Sequence, residues 1–263
     1  MKYMKSRILI FGILACLLAS CTKHEFRTEQ ITYNKTTILP SSPSDSLVVN
    51  IEIEYPVDME DTEVLQLIQQ DLLRALLDQE VDVAQGEEAV VFYAHKFEEG
   101  YLQTFASDKN DSVGVDCWEN IITGRVMSVR NNILSYSDER YVFLGGPHGI
   151  NSRHFYNYDI TTGKYLTESD LFKHDYTGKL TDLLIENLIG QYEEFESRDD
   201  IVASDFRLED IKPNGNFYFT EDEMIYVFNP YEIAPYYVGE TEIAIPLVQI
   251  QDLLLPTVKI LPL

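Results

Sequence analysis

Cysteine is scarce: the 263 residues contain three, Cys16, Cys21 and Cys117. Two of them fall in the first stretch of the chain, so no disulfide framework can hold the rest, and stability has to come from a buried apolar core. Positive charge is scarce too, with 20 Lys and Arg against 44 Asp and Glu and a formal net charge of −24. A surface this acidic lacks the basic patches that phosphate backbones require, so nucleic acid is not an expected partner. It repels anionic headgroups and draws cationic partners from a distance. Only one long apolar run exists, Ile8 to Leu18, and it is too short to cross a hydrocarbon layer of about 30 Å. No Gly-x-Ser-x-Gly elbow is found, and His148, His154 and His174 match no standard zinc spacing. No cofactor or metal is expected.

What is present begins at the N-terminus. Lys2, Lys5 and Arg7 precede the short apolar run, and Leu18-Ala19-Ser20-Cys21 follows it. This is the pattern of a signal peptide over residues 1–20, whose removal would take away cations and no acid. The tetrapeptide resembles the bacterial lipobox. That resemblance implies acylation of Cys21, with palmitate or a similar chain, and a lipid-anchored protein of the cell envelope. In a host with two membranes it points to the outer one. Contact with the membrane is then expected through the N-terminal lipid only.

Residues 21–46 are polar and carry Pro40-Ser41-Ser42-Pro43-Ser44, which reads as a tether, with a short edge strand within Gln30 to Leu39 as the ordered possibility. Residues 47–112 read as a strand followed by helices. Leu47, Val49, Ile51, Ile53 and Tyr55 alternate on one face of a strand that Pro56 is expected to end. Asp61-Thr62 caps a helix with Val64, Leu65, Ile68, Leu72 and Leu76 in its apolar stripe. A second helix carries Tyr93, Phe97, Tyr101 and Phe105 at intervals of four, a ladder that serves either as core or as a stacking platform. Residues 113–263 form the C-terminal region. Strands joined through Asn131-Asn132, a helix from Tyr176, a hairpin through Glu221-Asp222, and a strand and short helix either side of Pro246 predict an α+β fold of antiparallel sheets with packed helices. Cys117, beside Trp118, is expected to be a buried inert thiol.

Gly145-Gly146-Pro147-His148-Gly149, Asn157-Tyr158-Asp159 and Asp170-Leu171-Phe172 resemble one domain family. So does Phe217-Tyr218-Phe219-Thr220 with Phe228-Asn229-Pro230-Tyr231-Glu232-Ile233-Ala234-Pro235-Tyr236. The family is the extracytoplasmic domain of unknown function shared by the anti-sigma factor RsiV and the peptidoglycan deacetylase PdaC. The resemblance covers roughly the second half of the chain. It implies a non-enzymatic envelope domain that meets cell-wall glycan, peptidoglycan, or a wall-active protein such as a lysozyme. The candidate recognition loops are Gly145, Gly146, Pro147, His148 and Gly149, and Pro230, Tyr231, Glu232, Pro235 and Tyr236. We expect the two loops to lie side by side, with Glu232 orienting His148. His148 itself has three readings: a turn residue between glycines, a ligand contact, or the base of a wall-directed hydrolase. Acid pairs such as Glu98-Glu99 supply the hydrolase reading with carboxylates. A structural lipoprotein with another partner is the remaining alternative.

Overall fold

A computed structural model describes residues 26–39, 42–77, 86–107 and 117–258. The expected signal peptide and Cys21 lie outside the described residues. Five strands form one sheet in the order β1 (Arg27–Leu39), β2 (Ser42–Asp58), β3 (Trp118–Arg130), β4 (Ile133–Phe143), β5 (Ile150–Asp159). A second sheet holds β6 (Phe217–Phe219), β7 (Glu223–Phe228) and β8 (Thr241–Pro246). The fold is α+β, as expected, but the larger sheet is mixed. β2 pairs with β3 in parallel from Leu47 to Ile53, whereas every other pair is antiparallel. A parallel pair needs a long crossover. Here the crossover carries the helices α1 (Thr62–Leu77) and α2 (Gly86–Ser107), which cover one face of the sheet.

The sheet also corrects two organisational expectations. Residues read as a tether form β1 and the start of β2, paired antiparallel from Arg27↔Asp58 to Leu39↔Ser42. The parallel pair then carries the same sheet across the boundary drawn at residues 112/113. Pro56 does not end its strand. It lies past Ile53, where β2 has left β3 and pairs only with β1, so its missing N–H interrupts no central ladder.

The remaining elements follow local chemistry. The Asp61 carboxylate accepts from Glu63 N at 2.9 Å and Val64 N at 3.2 Å and so caps α1. Asn131 (φ 49°) and Asn132 (φ 65°) take the left-handed conformations of the β3–β4 turn. The aromatic ladder of α2 is largely core: Tyr101 is fully buried, and Phe97, Tyr101 and Phe105 surround Trp118 at centroid distances of 5.9, 5.5 and 5.8 Å. Cys117 is half-buried rather than buried, beside Ser46 and the Ser44 carbonyl.

The layers stack as helices, five-stranded sheet, three-stranded sheet, helix. Along β7, Ile225 and Val227 face the larger sheet, where Phe155 stacks on Tyr218 at 4.4 Å. Met224, Tyr226 and Phe228 face the other way into a core with Leu180, Leu184 and Leu188 of α3 (Tyr176–Gln191). β7 therefore lies within apolar layers on both sides, which explains its unbroken apolar run Met224 to Phe228.

Candidate functional site

β5 is an edge strand, and its outward backbone groups are taken up by two asparagine side chains. The Asn216 amide accepts from Phe155 N at 2.9 Å and donates to the carbonyls of Arg153 at 2.9 Å and Val227 at 3.0 Å. The Asn229 amide accepts from Arg153 N at 2.6 Å and donates to the Arg153 carbonyl at 3.1 Å. An amide side chain thus stands in for the missing neighbouring strand. This places the loop after β7 beside the loop that opens β5.

The two candidate loops meet there. His148 stacks on Tyr236 at 4.3 Å and 24°, and Tyr236 lies 5.4 Å from Tyr231. The Tyr236 hydroxyl donates to the Gly149 carbonyl at 3.0 Å. The expected His148–Glu232 contact is absent: the Glu232 carboxylate accepts from Asn214 at 3.1 Å, while His148 Nδ1 lies 2.9 Å from the Gly149 carbonyl. Glu232 is turned away because its backbone is held from the other side. The Arg207 guanidinium donates to the carbonyls of Tyr231 at 2.6 Å and Glu232 at 2.8 Å, and Asp210 fixes that guanidinium at 2.6 Å.

Arg207 holds a strained turn. Asn229-Pro230-Tyr231-Glu232 closes with Glu232 N on the Asn229 carbonyl at 3.0 Å, and Tyr231 has φ +75°. Proline suits the second position of such a turn, but glycine is the usual third residue. A tyrosine in this conformation costs about 1–2 kcal/mol, and strain of this kind gathers at functional sites. Tyr231 is 54% exposed. Tyr231→Gly is therefore expected to raise stability by about 1 kcal/mol in urea unfolding, although it deletes a large side chain.

On the other loop, Gly145 and Gly146 have φ of +86° and +104°, which the turn needs and other residues resist. Gly149 serves a close approach instead: a Cβ there would fall 2.3–2.5 Å from the Tyr141 ring. Gly149→Ala is expected to push Tyr141 aside and destabilise by about 1–2 kcal/mol, read as a lowered urea midpoint and altered near-ultraviolet dichroism.

Beside the stacked rings runs a groove of about 580 Å³. One side is the larger sheet, with Ile121, Thr123, Glu139, Tyr141, Asn151 and Arg153; the other is the loop bearing Pro230, Tyr236, Tyr237 and Glu240. Its volume falls in the ~300–1,000 Å³ range of ligand sites. Tyr237 is 71% exposed, while its hydroxyl bonds the Asp205 carboxylate, which pushes its pKa up. Arg153 crosses the floor over the Phe155 ring and pairs with Glu240 at 2.6 Å and with Glu242. Leu144 and Ile150 stand exposed on the strand ends flanking the glycine loop.

The other candidate residues are occupied elsewhere. Glu98 is bonded to Lys35 at 2.6 Å and to Thr37, and the Lys35 bond holds its carboxyl below the usual range. His174 is an exposed residue beside Asp175. Among the described residues no group of three or more His, Cys, Asp and Glu side chains is placed to hold a metal. No described helix is long and apolar enough to cross a membrane.

One buried acid lies on the opposite face of the same strands. Asp138 is 1% exposed, its carboxylate bonded to Arg140 at 3.0 Å with Oδ1 unpaired. Burial raises its pKa above 3.8 against the pull of Arg140. Its ionisation therefore weighs against the fold as pH rises through the raised value, and not below pH 3.8. Asp138→Asn is expected to gain stability relative to the parent chain as pH rises from about 4 to 7, seen in urea midpoints at each pH.

Sequence reasoning found both loops but missed Asn216, Arg207, Tyr141 and Arg153. An asparagine in a turn, or a charged residue in a strand, carries no local signal of what it bonds across the fold.

Comparison with known proteins agrees with this architecture. Residues 169–247 match the model described as Protein of unknown function (DUF3298). The segment Gly145–Gly149 lies outside that match. Over 119 residues the chain is 32% identical to peptidoglycan-N-acetylmuramic acid deacetylase PdaC of Bacillus subtilis, covering 43% of this chain. The chain spans only 24% of that relative's length. A crystal structure of a DUF3298 family member from Bacteroides fragilis superposes with a TM-score of 0.81 at 25% identity, covering 88% of this chain and 94% of that one. A DUF3298 family protein from Pseudomonas aeruginosa shares the fold at a TM-score of 0.62 and 18% identity, over 89% of this chain and 97% of its own. Through residues 169–247, set in a fold shared with solved family members, the chain carries a DUF3298 domain.

Proposed function

We propose that the chain is a non-enzymatic binding module of the bacterial cell envelope, and that cell-wall glycan occupies the groove between the larger sheet and the loop after β7. The carrying observation is the groove's lining. Tyr141, Tyr236 and Tyr237 supply aromatic faces, and Thr123, Glu139 and Asn151 supply hydroxyl, carboxylate and amide groups beside them. Rings with nearby polar partners suit a ligand that has apolar faces and a hydroxyl rim. The similarity to a peptidoglycan deacetylase supports the same ligand class. His148 supports a non-catalytic role, since its ring is stacked and its Nδ1 faces a backbone carbonyl. The hydrolase alternative has no carboxylate on that histidine. In this reading residues 1–20 are removed and Cys21 carries the acyl anchor, in the outer membrane where the host has one.

A second reading has its own observation. Exposed Leu144, Ile150, Tyr231 and Tyr237 lie on the strand ends and loops of this region, and the chain is strongly acidic, which fits a basic wall-active protein such as a lysozyme. Calorimetric titration with soluble peptidoglycan fragments, and separately with lysozyme over a salt series, tests the two. Saturable binding of the fragments supports the glycan reading. Lysozyme binding alone, persisting at ~0.5 M salt, replaces it with the protein reading. No binding of either sinks both.

A further inference from the structure

We propose that the groove selects a glycan bearing free amines, an amino-sugar polymer from which some N-acetyl groups have been removed. The inference rests on the glycan reading and names the ligand's charge. Two arginines belong to the strands that line the groove, and the protein already uses both. Arg153 contacts Glu240, Glu242 and, at 4.0 Å, Glu139, and its side chain is 19% exposed. The Arg140 side chain is turned to the helix-covered face, bonded to Asp138 at 3.0 Å and to the Leu76 carbonyl at 2.6 Å. An acidic polymer entering here meets Glu139 and Glu240 with no free positive charge to oppose them.

Glu139 is the open group. Its side chain is 55% exposed and its Arg153 contact sits at the 4.0 Å limit of an ion pair. It projects from β4 on the same face as Ser137 and Tyr141, so its carboxylate stands beside an aromatic wall. A carboxylate and π faces in one cleft form a receptor for an ammonium group. A fully N-acetylated sugar offers a neutral amide at that position and gains neither interaction. The net charge of −24 adds long-range attraction for a cationic polymer.

The test is calorimetric titration of the full chain with glucosamine tetramer and with N-acetylglucosamine tetramer. Measurements run at ~0.15 M salt, where distant charges are screened, and at a pH that keeps the amines protonated. The amine form is expected to bind at least tenfold more tightly. Glu139→Gln, which keeps a hydrogen-bonding amide at an exposed position but removes the charge, should abolish that preference by bringing the amine form's affinity down to that of the N-acetyl form. Equal or tighter binding of the N-acetyl form overturns the inference and leaves the glycan reading standing, as does a preference that survives Glu139→Gln. Tetralysine binding as tightly as the amine sugar reduces the effect to bulk charge and also overturns it. Failure of both sugars to bind overturns the inference and the glycan reading together.

Discussion

Asn216→Ala should lower stability by about 3 kcal/mol, seen as a fall in thermal midpoint of roughly 6–12 °C. The side chain makes three bonds to backbone groups of Arg153, Phe155 and Val227, two of them fully buried. Alanine leaves the Phe155 N–H unpaired, at about 1–3 kcal/mol, and takes one bond each from the Arg153 and Val227 carbonyls, which keep Asn229 and Asn214 as donors, at about 0.5–1.5 kcal/mol apiece. The cavity left by the amide adds to this, while entry of water reduces it. Asn216→Asp is the informative partner variant, since its carboxylate still accepts from Phe155 N but cannot donate to the two carbonyls. It should fall at least as far as alanine at neutral pH. A loss below about 0.5 kcal/mol, the level of an ordinary surface change, would mean that Asn216 does not join the sheets.

Tyr236→Ala is expected to weaken glycan binding about 30- to 100-fold, or ~2–3 kcal/mol. Tyr236 touches each part of the site: it stacks with His148, neighbours Tyr231, bonds the Gly149 carbonyl and lines the groove. Its removal deletes a wall and releases both loops. Tyr236→Phe separates these roles. The ring and its stacking remain, so affinity should change by only a few-fold, while loss of the bond to Gly149 costs about 1 kcal/mol of stability. His148→Ala removes one stacking partner, a contact of about 0.5–1.5 kcal/mol, and should act through stability more than through affinity. Equal affinities of Tyr236→Ala and the parent chain would place the ligand outside this groove.

The strain at Tyr231 bears on the same site. A turn that glycine would satisfy holds a half-exposed tyrosine against Tyr236, and Arg207 keeps it there by bonding two successive carbonyls. Stability rising with Tyr231→Gly while binding falls would mark the strain as functional. Stability rising with binding untouched would mark it as tolerated.

The sequence disclosed those parts of the fold whose cause is local. The Asp61 cap, the Asn131-Asn132 turn, the stripe of α1 and the alternation of β2 all follow from neighbours in the chain. The parallel pairing of β2 with β3 was hidden because register across a two-helix crossover is set by packing. β1 was underread because its alternation is weak, with a mostly exposed burial pattern, so composition suggested a tether. Of the site, two loops rich in glycine, proline and tyrosine stood out, and the fold brings them into contact. Their mode of contact was misread. His148 meets Tyr236 because Arg207 and Asn214, both distant in the chain, hold Glu232 elsewhere. Nothing near Glu232 in sequence shows that.

The first measurement to make is a chemical-shift map of the chain titrated with a soluble peptidoglycan fragment. Occupation of the groove predicts the largest shifts at Tyr141, Tyr236, Tyr237 and Arg153, with smaller ones at Gly149 and His148. Shifts confined to the helix-covered face of the larger sheet, or no shifts at saturating fragment, would contradict a glycan site between these loops.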